Sequence, residues 1–228
     1  MKEIKVQLTF TEDVLGTSPS DKEIHETYIV DKGLDEAKKQ LEKHKGLTEE
    51  EKQSLEKIIN KLENKSDEIK QEEVDAVAND EARQGRTVFP RDEEGNPFIW
   101  DYQMRGFFKS AAQAGSYIGG DSKLTAYKKK IDLLVFIDER KIPLNLPDGK
   151  DVGSCQRPLR GQTAQGERVA LANSDSVPAG TTCEFTVRVL DDGLLKYVRK
   201  WLDYGRYNGF GQWRNSGKGR FKWREIAE

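Results

Sequence analysis

The stretch VPAGTTCEFTVRVLDDGLLKYVRKWLDYG, residues 177–205, decides the fold. PAGT at 178–181 is a turn, and after it Cys183, Phe185, Val187 and Val189 alternate with polar residues, the period of a half-buried strand. Leu194, Leu195, Val198, Trp201 and Leu202 then recur on one face of a helix that Gly205 ends. The chain continues as YGRYNGFGQWRNSGKGRFKW (204–223), a glycine-rich loop leading into a last strand near GRFKW. The unit is strand, helix, loop, strand.

Working outward, Ile131 to Ile137 (IDLLVFI) is a nearly continuous apolar run of strand length, which predicts a central strand covered on both faces. Before it, Asp101 stands as the N-cap of a helix whose Met104, Phe107, Phe108, Ala111 and Ala112 fall at helical spacing. The first residues, EIKVQLTF (3–10), alternate Ile4, Val6, Leu8 and Phe10 against polar neighbours as a half-buried strand does. The region 138–180 is punctuated by Pro and Gly and reads as loops and short strands. This order predicts an α+β fold of the ferredoxin-like (RRM-like) kind, an antiparallel sheet with helices on one face.

From Leu34 the composition changes to Glu, Lys, Asn and Gln. LDEAKKQLEKHKG reads as a helix closed by Gly46, Thr48 with Glu51 forms a capping box before Leu55, Ile58, Ile59 and Leu62, and a third helical piece is expected from about Ser66 to Arg83. Residues 34–84 are therefore expected to be a charged helical insertion, and 1–33 with 85–228 the core domain. Charge divides the same way, since residues 1–85 carry a net −8 and residues 86–228 a net +6 within an overall −2. The basic part is the candidate nucleic-acid surface.

Cys155 and Cys183 are too few for a disulfide framework, and His25 and His44 complete no zinc-ligand spacing, so no metal or other cofactor is expected. No apolar run approaches the roughly 18 residues of a membrane span, and the chain opens on a strand pattern in place of a basic-then-apolar leader. These features predict a cytoplasmic protein with no membrane association.

The candidate site lies in the glycine-rich stretch. Residues 196–224 hold nine Lys/Arg against one acid, Asp203, and glycines that admit a close backbone approach separate cations from aromatic rings. Arg214, Lys218 and Arg220 are candidate phosphate contacts, Phe210 and Trp213 candidate stacking platforms for unpaired bases, and Gly209, Gly211, Gly217 and Gly219 the glycines that shape the loop. Arg105 and Lys109, an i, i+4 pair on the helix after Asp101, and Arg157 and Arg160 in the QRPLRG segment extend the positive side. The same pattern also fits a tight hairpin with core aromatics and solvated charges.

Three stretches in this order resemble the CRISPR-associated RAMP superfamily, in particular the backbone subunits that polymerise along guide RNA. They are the opening strand running into VLGT (14–17), the segment RDEEGNPFIWDYQMRGFFKSAA (91–112), and VPAGTTCEFTVRVL followed by a helix and GFGQWRNSGKGRF. In the second, WDYQMR stands where the family reads Ser-Ser-Leu-Lys; Arg105 takes the place of its lysine and Gly106 that of its glycine. The resemblance implies a non-catalytic subunit binding single-stranded RNA, with other effector subunits or further copies of itself as partners. One alternative is a phage or mobile-element protein that mimics or blocks such an effector, with the acidic segment as contact surface. Another is a RAMP ribonuclease, for which Asp21, Asp92, Glu93, Glu94 and the two histidines form no diagnostic pattern.

Overall fold

A computed structural model describes residues 2–20, 85–163 and 166–226. The chain divides into two compact units, residues 1–17 with 87–228, and residues 18–86. The first unit is built on four strands: β1 (Lys2–Phe10), β6 (Val135–Ile137), β10 (Thr182–Val189) and β11 (Phe221–Ile226). Their order is β11-β1-β10-β6, and every neighbouring pair is antiparallel. In β1, Ile4, Val6, Leu8 and Phe10 are buried, and Cys183, Phe185, Val187 and Val189 are their counterparts in β10, so the alternation in sequence becomes one apolar face. Both cysteines are free, and burial pushes the Cys183 thiol up, which makes it inert.

The helices α1 (Asp101–Ile118), α2 (Tyr127–Leu134) and α3 (Leu195–Tyr204) contribute to the same core. Phe107 of α1 meets Phe221 of β11 edge-on with ring centroids 5.2 Å apart, and Phe108 meets Trp201 of α3 at 5.7 Å. The architecture is α+β with antiparallel sheets. The opposite face of the central strands carries Lys5, Gln7 and Thr9 beside Glu184, Thr186 and Arg188. Side chains there bond one another: Gln7 donates to Glu184 at 2.7 Å, Arg224 to Gln7 at 2.7 Å, and Arg188 pairs with Asp138 and Glu3. Neither β1 nor β10 turns an aromatic ring outward, so this face offers no stacking platform on its central strands.

Two expectations are corrected. IDLLVFI is not one central strand: Ile131 to Leu134 end α2, and only Val135–Ile137 pairs, at the sheet's edge. Ile131 and Val135 are buried while Asp132 and Leu133 are exposed, which is helical spacing that a short apolar run conceals. Nor are 153–177 loops and short strands; β8 (Gly153–Thr163) and β9 (Gly166–Val177) form a long hairpin, paired from Gly153 opposite Ser176 to Thr163 opposite Gly166. Pro158 is tolerated because, among the described residues, β8 pairs on one side only. At the hairpin's base β9 also pairs β2 (Val14–Leu15) and β4 (Arg86–Val88). β5 (Phe98–Trp100) runs antiparallel to β7 (Lys141–Pro143), placing Trp100 opposite Lys141. Among the described residues no helix is long and apolar enough to cross a membrane.

Of the second unit, the description covers β3 (Ser18–Pro19), Ser20, Gly85 and Arg86. The helices expected within 34–84, with their capping box, lie outside the described residues. Where the unit leaves and returns, the Ser20 N–H donates to the Arg86 carbonyl at 3.0 Å. With the two ends this close, replacing residues 21–84 by a Gly/Ser turn of about two to four residues is expected to leave a domain that still unfolds cooperatively in urea. A broad, non-cooperative transition in that deletion would show that 18–86 is part of the folding unit.

Candidate nucleic-acid interface

The glycine-rich loop is held by backbone hydrogen bonds rather than by side-chain bulk. The Phe210 N–H donates to the Gly219 carbonyl at 2.8 Å, the Gly219 N–H to the Asp13 carbonyl at 2.8 Å, and the Phe221 N–H to the Gly205 carbonyl at 3.2 Å. A Cβ at Gly209 or Gly219 would overlap the backbone of the opposite limb, and one at Gly211 would lie 2.8 Å from the Leu15 carbonyl oxygen. Gly217 sits at φ +84° where a short 3₁₀ turn, Arg214–Ser216, ends. All four are therefore structural. Lys218 donates to Asp13 at 2.7 Å, which fastens the loop to the end of β1.

Trp213 opens that turn with φ +54° and ψ 36°, a left-handed conformation rare for a bulky residue. The residue is 38% exposed, with the Arg157 guanidinium 5.6 Å from the ring centroid. Arg157 is itself buried, donating to Ser174 at 3.2 Å and to the Gln212 side chain. The hairpin thus holds the tryptophan from behind. The next residue, Arg214, reaches across to α1 and donates to the Ser110 hydroxyl at 3.3 Å.

On α1 the stripe Gln103, Gly106 and Ser110 follows helical spacing along one side. The Gln103 amide donates to Thr17 at 2.6 Å and accepts from the Trp100 N–H at 2.9 Å, closing the first turn. Between Gln103 and Ser110, Gly106 is exposed, and apart from the helix itself no atom of the described residues lies within 4 Å of where its Cβ would be. Glycine in a helix interior costs about 0.5–1 kcal/mol relative to alanine. Among the described residues nothing requires that glycine.

The structure separates the predicted residues. Arg214, next to Trp213 in the chain, reaches α1 at Ser110, one turn from Gly106, and Arg105 adjoins Gly106 on α1. Arg105 donates to Asp101 at 2.8 Å, and Asp101, expected as the N-cap, is the first helical residue and serves instead as a carboxylate anchor. Lys109 is paired with Asp132 at 2.6 Å and Lys218 with Asp13. Arg160 lies exposed on β8 opposite Val169, and Arg220 is exposed beside Gly217. Phe210 is a correction: at 4% exposure it packs against Phe10, ring centroids 6.5 Å apart, and cannot stack on a base. Arg140, which the sequence did not single out, donates to the other oxygen of Asp101 at 2.6 Å. Among the described residues no three carboxylate, imidazole or thiol groups are placed to hold a metal ion, and Asp92 is engaged in its own turn with Asn96.

No protein-family model matches the chain, and no curated protein does. Among solved structures, it is similar to a chain in "Cryo-EM structure of the Type III-B Cmr-beta bound to cognate target RNA", with 10% identity and a TM-score of 0.47 over 99% of its length. It spans 59% of that chain. A chain in "Type IV-B CRISPR Complex" matches over 99% of its length and 91% of that chain, with 9% identity and a TM-score of 0.42.

The Asp13–Lys218 pair makes the loop's anchoring dependent on pH. The hydrogen bond from Lys218 holds the Asp13 carboxyl below its ordinary 3.8, helped by the Ala179 N–H, and the same bond holds Lys218 above 10.5. A carboxyl lowered on folding stabilises above its unfolded value, and the contribution disappears as pH falls through the folded one; the raised amine loses its contribution as pH climbs through its own folded value. Asp13→Asn is therefore expected to lower the melting temperature by a constant amount between about pH 5 and 9, with the gap to wild type closing as the solution is acidified below about 3.8. A gap unchanged down to strongly acid solution would show that the pair does not fasten the loop.

Proposed function

We propose that this chain is a non-catalytic subunit that binds single-stranded RNA along α1 and the glycine-rich loop, and that it is a RAMP-type backbone subunit of a CRISPR-type ribonucleoprotein in the cytoplasm. The observation that carries the reading is Gly106. A glycine kept in the middle of an 18-residue helix, with open space over it, Arg105 beside it and Arg214 one turn away on Ser110, suits a ligand backbone that must come close to the helix and is negatively charged. Trp213, held in a strained conformation with its ring partly exposed, adds a surface on which a base can stack.

Two further features support it. The strand order β11-β1-β10-β6 with α1 following β1 and α3 joining β10 to β11 is the arrangement a split βαβ, ferredoxin-like fold produces. Parts of two stretches that resemble the RAMP superfamily also lie near one another: Arg105 and Gly106 on α1, and Arg214 of the glycine-rich loop, which donates to Ser110. The partners implied are RNA, the other subunits of such an assembly, and further copies of the chain. Residues 34–84 are proposed to be an addition to the RNA-binding core.

Gly106→Leu separates structure from binding. Leucine favours the helix over glycine by up to about 1 kcal/mol, and its Cβ meets no atom of the described residues beyond the helix itself, so the melting temperature is expected to hold or rise. Affinity for labelled single-stranded RNA is expected to fall because the backbone no longer reaches the helix. Trp213→Gly relieves a left-handed conformation and is expected to weaken RNA binding by about 1–3 kcal/mol without loss of stability. Arg214→Ala with Arg220→Ala is expected to flatten the salt dependence by roughly 0.7 per charge, equally for unrelated sequences. If all these variants bind RNA as wild type does, or wild type binds none, the loop is architectural and an interaction-protein role takes precedence.

A further inference from the structure

We propose that the bound strand continues past the glycine-rich loop to the C-terminal end of α1, where a base stacks on Tyr117 and the lysines of α2 take phosphates. The inference rests on the RNA-binding reading above and lengthens its footprint. Two contacts border the path. The loop meets α1 at Ser110, through Arg214, and α2 meets it at the neighbouring Lys109, whose Nζ lies 2.6 Å from Asp132. At about 100° of turn per residue, Gly106, Gln113 and Tyr117 all project between those two positions. The buried side of the helix, with Met104, Phe108, Ala111 and Gly115, is the opposite one. Gly106, Gln113 and Tyr117 are all exposed, and at 1.5 Å of rise per residue the line from the first to the last is about 16 Å long.

The far end of this line carries both a ring and unneutralised charge. Tyr117 is 83% exposed, and among the described residues nothing bonds to it or stacks on its ring. Residues 109–134 hold five lysines, at 109, 123, 128, 129 and 130, against Asp121 and Asp132. Lys109 takes Asp132, while the other four pair with no carboxylate among the described residues. Lys200 of α3 brings one more cation to this end, donating to the Asp121 carbonyl at 2.9 Å. Lys128, Lys129 and Lys130 fall in the opening turn of α2, where the helix's own partial charge is positive and acids would stabilise it. The cluster therefore works against its own helix. Nor is it carried on a loose arm, since the turn before α2 is pressed on α1 so closely that a Cβ at Gly115 would lie 2.6 Å from the Ser122 carbonyl oxygen. A chain with one negative charge per nucleotide and unpaired bases is the ligand that uses ammonium groups and an open ring together.

Because the path has a length, strand length tests it. The experiment titrates the full chain into labelled single-stranded RNA of about four and about sixteen nucleotides at several salt concentrations, with melting curves and with 4-thiouridine crosslinks mapped to peptides. Tyr117→Ala is expected to weaken binding of the longer strand about tenfold, and of the shorter one far less, at unchanged melting temperature. Lys128→Gln with Lys129→Gln is expected to lower the salt slope for the longer strand by roughly 0.7 per charge. Its melting temperature should hold or rise, because two cations leave the positive end of α2. Wild-type crosslinks from the longer strand should reach the peptide containing Tyr117. If these variants bind the longer strand within about twofold of wild type while Gly106→Leu is defective, the path ends at the loop and this inference fails with the RNA interface intact. If they weaken both lengths equally, the lysines act only as a general positive field and the path along α1 is overturned. If wild type binds no single-stranded RNA, both readings fall together.

Discussion

The closure of the glycine-rich loop on the end of β1 is the constraint on which the rest of the molecule depends. Two chain limbs pass so close that only glycine fits at Gly209 and Gly219, and the bonds that result, Phe210 N–H to Gly219 and Gly219 N–H to Asp13, fix where the loop can lie. Phe210 is drawn into the core against Phe10, and the Phe221 ring fills the space that a side chain at Gly205 would need. The turn carrying Trp213 and Arg214 is then left facing α1. A loop of the same composition without that crossing would have no defined surface to offer a ligand.

Charge on this surface is divided between cations that hold the protein and cations that face outward. Lys109, Lys218 and Arg157 are each bound to a partner within the chain, at Asp132, Asp13 and Ser174 respectively. Such pairs contribute little stability where they are exposed, but they set geometry. Arg157 is buried behind Trp213, so this cation of the hairpin backs the indole ring and does not face solvent. Counting Lys and Arg in the sequence therefore overstates the charge that this surface turns outward.

Most of the sheet and its packing were legible because β1, β10 and α3 each show a clean period along one short segment. The β8–β9 hairpin was not, since Pro158 and the nearby glycines look like punctuation and only the cross-strand pairing, invisible locally, overrides them. Phe210 was misplaced for a related reason: among glycines and cations its ring looks exposed, and its burial follows from a contact with Phe10 some two hundred residues earlier. Gly106, Trp213 and Arg214 were identifiable as residue types, but the contact of Arg214 with Ser110 on α1 was not. Arg140 carried no signal, because it reaches Asp101 through the pairing of β5 with β7, strands joined by the whole of α1 and α2.

The departure of this chain from the motif it resembles has a physical reading. Where the family carries a lysine before the glycine, this sequence has Arg105, and Asp101 stands four residues earlier on the same helix face. An ammonium is a compact charge, and a buried carboxylate one turn away would neutralise most of what it offers a phosphate. A guanidinium differs, since it has five N–H donors arranged as a fork and can bond Asp101 through one nitrogen while directing others elsewhere. Arg105 does bond Asp101 through Nη2, and its Nε remains without a partner. Arginine and aspartate thus belong together: the carboxylate requires a cation that is not used up by pairing, and the arginine gains from it a fixed direction beside the bare backbone of Gly106.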